Sequence, residues 1–204
     1  VADPSGVVSR SETLFDRMGR PLATSVHNGA LAPMARWRLT EAAGATSTRD
    51  TGGNSTGAAS NITWTTDRGG AASFNGTGSA ITTTGPVLDT ARSFTVAAWV
   101  NPTSASGTRN LLSQDGTAAS GVALGVDGAA SGVWSLSMAG RDDAAATPVT
   151  VRSPNAAALN TWTHVAGVVD LSARQLRLYL NGTLAATQTL PTSFVAWTAT
   201  GPMT

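Results

Sequence analysis

Cysteine is missing from the 204 residues, and so is lysine: all 13 basic side chains are arginine. Without cysteine the chain has no disulfide, no thiolate nucleophile and no Cys-ligated zinc. The arginine-only usage reads as a coding bias. Charge of either sign is scarce, at 12% of residues with a formal net charge of +1, about half the usual charged share. No arginine stripe stands out, so neither nucleic acid nor an anionic membrane surface is an expected partner. No run of 18 apolar residues occurs, so no membrane-inserting helix is expected. Glutamate occurs only at Glu12 and Glu41, and histidine only at His27 and His164. Those shortages bear directly on catalysis.

What the sequence does have is 22 glycines and 41% hydrophobic residues, enough to bury one sizeable core. No window keeps apolar residues at i, i+3, i+4 and i+7. Short apolar runs bounded by Gly, Asn, Asp and Pro recur instead, which is the rhythm of an all-β sandwich or barrel. SFTVAAWVNP (93–102) sets Phe94, Val96, Ala98 and Val100 on one face and Thr95, Ala97 and Trp99 on the other. With both faces nearly apolar, it is expected to be a central strand covered on both sides. WTHVAGVVDL (162–171) alternates in the same way, with Trp162, His164, Ala166 and Val168 opposing Thr163, Val165 and Val169.

Further strands are expected at ARWRLT, ASNITW, AASFN, SAITTT, RNLLSQ, GVALGV, GVWSLSMA and TVRS. QLRLYLNGTLAATQ (175–188) is expected to be a hairpin, because Asn181-Gly182 can supply the two positive φ angles of a type I′ turn. That turn would set Leu180 opposite Thr183, Tyr179 opposite Leu184 and Leu178 opposite Ala185. The texture changes near Pro33. Residues 1–33 are read as a separate segment and residues 34–204 as the sandwich domain. The chain begins at Val1 rather than Met and is read as a piece of something longer.

Taken in order, Trp64, GGAASFNG, SFTVAAWVNP, LLSQDG, GVALGVDG, GVWSLSM, NTWTHVAGVVD and LRLYLNG resemble the laminin-G-like, concanavalin A-like jelly-roll domains of bacterial surface proteins. The resemblance implies an antiparallel two-sheet sandwich used for recognition and adhesion. It also implies strands beyond WTATGPMT that this chain lacks. The closing strands would then come from elsewhere, and the open edge would pair with a strand-complementing segment or chain. VVSRSETLFDRMGRPLATSV (7–26) resembles one YD-type, Rhs-like repeat. Phe15-Asp16 and Gly19-Arg20 stand at its Tyr-Asp and Gly-Arg positions, and a Gly-turned hairpin is expected there.

Some relatives of this fold hydrolyse glycosides with a pair of carboxylates about 5–10 Å apart. Those sandwich glucanases carry Glu, Asp and Glu at alternating positions of one strand. Here the central strands hold no carboxylate, and most aspartates fall in turns. No Gly-x-Ser-x-Gly elbow surrounds any serine. His164 reads as a packed strand residue and His27 as a loop residue. Trp99 and Trp162 read as core anchors.

The resemblance implies one possible cofactor, calcium, and its ligands would be Asp50, Asn54 and Asn75. Against it, Asn75-Gly76 also reads as a plain turn. RDDAAAT (141–147) and QDGTAASG (114–121) are loops placed to line a ligand edge. The expectation is a non-catalytic recognition module of a large secreted or surface-attached bacterial protein, binding glycan or protein. The alternative is a structural spacer in an Rhs-like shell or toxin-delivery protein.

Overall fold

The computed structural model describes residues 33–204, together with the backbone of two N-terminal strands. The residues group into two compact units. One holds residues 1–37 with 50–54, and the other holds 38–49 with 55–204.

In the first unit, β1 (Ser9–Phe15) and β2 (Pro21–Asn28) pair antiparallel, Ser9 opposite Asn28, with an irregularity between Leu14 and Phe15. Asp16, Gly19 and Arg20 of the repeat-like motif lie outside the described residues. Trp37 forms a single bridge to Asp50. That bridge is all that becomes of the strand expected at ARWRLT. Leu39 takes φ 56, a left-handed value that cannot continue a ladder.

The second unit is an all-β, antiparallel jelly-roll sandwich. Its smaller strands come first. β3 (Ser47–Thr48), β4 (Gly57–Ser60) and β7 (Ala80–Thr83) form one sheet, and β5 (Ile62–Thr65) pairs with β6 (Ala71–Phe74). The strand expected over ASNITW is therefore split. Asn61, at φ 54, turns the chain from β4 into β5.

Two four-stranded sheets carry the core. The first runs β12-β11-β10-β9, built from β9 (Arg109–Asp115), β10 (Ser120–Asp127), β11 (Val133–Met138) and β12 (Val149–Ala156). The second runs β15-β14-β13-β8, built from β8 (Phe94–Val100), β13 (Thr163–Asp170), β14 (Gln175–Leu180) and β15 (Thr183–Thr189). Leu124, Leu136, Met138 and Trp134 from the first sheet pack with Val96, Val165, Val169, Leu176 and Leu178 from the second. Alternation explains this set, because every second side chain of a strand faces inward. The sheets meet closely at Gly167, where a Cβ would lie 2.9 Å from Leu136 Cδ1.

The hairpin forms as expected at its tip, with Asn181 at φ 50 and Gly182 at φ 82. Leu180 opposes Thr183 and Tyr179 opposes Leu184, but Leu178 opposes Ala186, not Ala185. A bulge inserts one residue into β15, which no turn rule could anticipate.

The last residues are structured. Met203 bridges Gln114 of β9, and Ser113 and Thr204 exchange both backbone hydrogen bonds at 2.8 Å. On the other side the Thr83 N–H of β7 donates to the Met203 carbonyl at 2.9 Å. Residues 203–204 thus lie between β7 and β9. Met203 is buried and Thr204 exposed.

Candidate functional site

The outward face of the second sheet is open. In β13 the odd-numbered residues from Thr163 to Val169 are buried, while His164, Ala166, Val168 and Asp170 are not. Thr95, Ala97 and Trp99 of β8 are exposed on the same side. Strand register fixes the rows across this face. Trp99 stands opposite His164, Ala97 opposite Ala166, and Ala166 opposite Tyr179, which opposes Leu184. The covered, central position expected for SFTVAAWVNP is corrected here: β8 ends its four-stranded sheet, and its second apolar face meets solvent.

At one end of this face lies an open depression of roughly 650 Å³, lined by Arg68, Trp99, Trp162, His164 and Asn181. Trp99 keeps 50% of its surface exposed. Its ring centroid is 5.3 Å from that of His164, tilted by 59°. The Arg68 guanidinium sits 3.9 Å above the Trp99 ring and 5.6 Å from the Trp162 ring. Distances of this order are cation–π contacts.

Two local devices hold these side chains. Asn181 belongs to the turn and completes the ladder with its own side chain. Its N–H donates to the His164 carbonyl at 2.8 Å, and its Oδ1 accepts from the His164 N–H at 2.9 Å. Arg68 sits in the 3-10 turn Asp67–Gly69, closed by hydrogen bonds from Gly69 N–H to the Thr66 carbonyl and from Gly70 N–H to that of Asp67. Arg68 itself has φ 52. A left-handed arginine costs about 1–2 kcal/mol, and such outliers gather at functional sites.

Four members of this cluster were given other roles by sequence reasoning, or none. Trp99 was expected in the core and is half exposed. Trp162 was expected beside it and is only partly buried. His164 was expected to be a packed strand residue, and its ring lies against the half-exposed Trp99 ring. Arg68 received no role. The signal available was the second apolar face of SFTVAAWVNP, because a strand apolar on both sides can be covered twice or can present one side.

The other expected site residues lie elsewhere. Asp50 is buried, and its Oδ1 accepts from the backbone N–H groups of Arg36, Gly52 and Gly53 at 2.7, 2.7 and 2.9 Å. Asn54 is exposed. Asn75 Oδ1 accepts from the Thr77 N–H at 2.7 Å, and Gly76 follows at φ 73, as in a turn. Among the described residues no group of three or more His, Cys, Asp or Glu is placed to hold a metal ion.

The loops expected to line a ligand edge meet one another. Asp142 accepts from the N–H groups of Thr117, Ala118 and Ala119 at 2.7–2.9 Å. Those backbone donors hold its carboxyl below the usual carboxylate range. The Arg152 guanidinium does the same for Asp127, and the Ala173 N–H with the Ser172 hydroxyl for Asp170. These carboxylates are committed to turns and ion pairs.

Comparison with known proteins agrees with this architecture. No curated protein matches the sequence. Domain 4 of AbnA, a GH43 extracellular arabinanase from Geobacillus stearothermophilus solved with arabinotriose, superposes with a TM-score of 0.53 at 18% identity, over 75% of each chain. A Trypanosoma rangeli sialidase mutant displaying trans-sialidase activity gives 0.55 at 17% identity, over 86% of this chain and 28% of that one. The CBM40 of Ruminococcus gnavus IT-sialidase, bound to α2,3-sialyllactose, gives 0.44 at 21% identity, over 55% and 62% of the two chains. A laminin G-type family model matches residues 75–204. With that match and the sandwich it describes, the chain belongs to the concanavalin A-like lectin/glucanases superfamily.

Proposed function

We propose that this chain is a non-catalytic glycan-recognition module of a secreted or surface-attached protein, and that the Trp99 depression is its binding site. One observation carries the reading: a half-exposed tryptophan, a second indole, an imidazole and a guanidinium converge on an open sheet face. Burying so little of a tryptophan forgoes much of the stabilisation its ring could give a core. A flat, amphipathic platform with polar groups at its rim suits the faces of sugar rings. The arabinotriose complex of the arabinanase domain supports the same reading by analogy of fold.

The non-catalytic part rests on the lining. None of the five lining residues is a carboxylate, and glycoside hydrolysis needs a pair of them.

The test is a broad glycan array, followed by calorimetry on the hits with wild type and Trp99→Ala. Saccharide binding weakened at least about tenfold by the substitution is expected. An array with no hits sinks the reading and leaves the spacer role. Hydrolysis of any hit would overturn the non-catalytic assignment.

A second partner-facing feature lies between β7 and β9. We infer that an extended strand with apolar residues at alternate positions pairs there, continuing the ladder that Met203 and Thr204 begin with their buried-then-exposed alternation. Thr83 turns its N–H toward that slot, so the two-residue period turns the Ile81 N–H the same way. Fast hydrogen exchange at Ile81 in the isolated chain is expected. Strong protection there would count against an open slot.

A further inference from the structure

The depression that holds Trp99 is one-sided in its polar chemistry. Arg68 offers a guanidinium with five N–H donors and no acceptor, Trp99 and Trp162 each offer an indole N–H, and Asn181 offers its side-chain NH₂. Among the described residues none of these donors has a hydrogen-bond acceptor or an ion-pair partner. The Arg68 guanidinium lies over the two indole rings, and the Asn181 side chain is held through its Oδ1. The His164 ring is the only group in the lining with a free acceptor nitrogen. Asp67, next to Arg68 in the same turn, does not line the depression.

A neutral sugar presents hydroxyls that donate as well as accept, and a site for it needs acceptors to match. A lining made almost wholly of donors, with one full positive charge, matches a ligand that brings acceptors and negative charge. With its central carbon 3.9 Å over the Trp99 ring, the Arg68 guanidinium keeps N–H donors for a planar, bidentate partner.

We propose that the sugar bound here carries a carboxylate, as a hexuronic or a nonulosonic acid does, and that Arg68 is the residue that reads it. This rests on the glycan-binding reading of the same depression. Arg68 is held for that role at a left-handed φ of 52. Its charge gains an aromatic partner in the unbound state and an anionic one in the bound state.

Calorimetry with two matched pairs tests it: trigalacturonate against its methyl ester, and 3′-sialyllactose against its methyl ester. In at least one pair the acid is expected to bind about tenfold tighter than its neutral counterpart. The pair that shows the difference tells which acid is read. Arg68→Asn should erase the difference while leaving the thermal melt unchanged, since asparagine tolerates a positive φ. Arg68→Lys, which keeps charge but loses the planar fork, should retain only part of it.

Equal binding of acid and neutral forms would overturn the proposal, and so would a preference that survives Arg68→Asn. In both cases Trp99-dependent binding would leave the glycan reading standing. Failure of both acids to bind, with neutral glycans bound on the array, also overturns the proposal alone. An array without hits removes both.

Discussion

Gln114→Leu probes the buried polar joint that ties the end of the chain into the sandwich. Gln114 is at 0% exposure in β9. Its Oε1 accepts from the N–H groups of Val87 and Leu88, both at 2.8 Å. Its Nε2 donates to the carbonyls of Leu88 at 2.7 Å and Ala199 at 2.9 Å. One amide therefore satisfies four backbone groups from two segments that form no strand of their own at these residues. Leucine has a similar volume, so packing changes little. The four groups lose their partners where water does not reach. At about 1 kcal/mol for each net hydrogen bond the loss is about 4 kcal/mol. Burying the apolar side chain returns about 1 kcal/mol, for a net destabilisation of about 3 kcal/mol.

In a domain of this size that lowers the melting temperature by roughly 6–12 °C. Calorimetry and urea titration read it, with the exposed Gln188→Leu as control, expected within about 0.5 kcal/mol of wild type. Gln114→Glu aims a carboxylate oxygen at the carbonyls of Leu88 and Ala199 where water does not reach, so it should destabilise at least as much as Gln114→Leu. A net change under about 1 kcal/mol for Gln114→Leu would refute the claim that the amide holds these segments in place.

Three other outcomes follow from the geometry. Gly167→Ala puts a Cβ against Leu136, which is wholly buried. It should destabilise by about 1–3 kcal/mol, and urea melts of the Gly167→Ala/Leu136→Ala double variant should show a loss smaller than the sum of the single ones. Asp127, Asp142 and Asp170 have folded-state pKa values below the ordinary aspartate value. Their contribution to stability is present above that value and is lost as pH falls through the lower folded values. Melts from pH 7 to pH 2 should therefore be flat near neutrality and fall in acid, with a shallower fall for Asp142→Asn. Gly182→Val forces a β-branched residue to φ 82. Thermal melting should show a loss of at least about 1 kcal/mol, and amide shift changes should reach His164 through Asn181.

Much of the fold was legible because its signals are local. Alternation along 162–171 gave the faces of β13, and Asn181-Gly182 gave the hairpin turn. Where local signals failed, a single backbone residue intervened: Leu39 ended a strand before it could form, Asn61 split another, and a bulge in β15 moved Ala185 out of register. None of these carries a residue type that demands it. The open sheet face was less legible. Trp99 has the same neighbours in sequence whether a second layer covers its strand or solvent does, so the alternation counted both faces and could not say which was wet.

By itself the sequence determined that this is an antiparallel β-sandwich with an apolar interior, because period-two hydrophobicity and turn residues are written along the chain. The tertiary structure alone decided that β8 ends its sheet. It also brought Arg68, from a turn some thirty residues upstream, over the rings of Trp99 and Trp162 beside His164. That meeting depends on which sheet edge the turn crosses, and a preference between neighbouring residues cannot encode it.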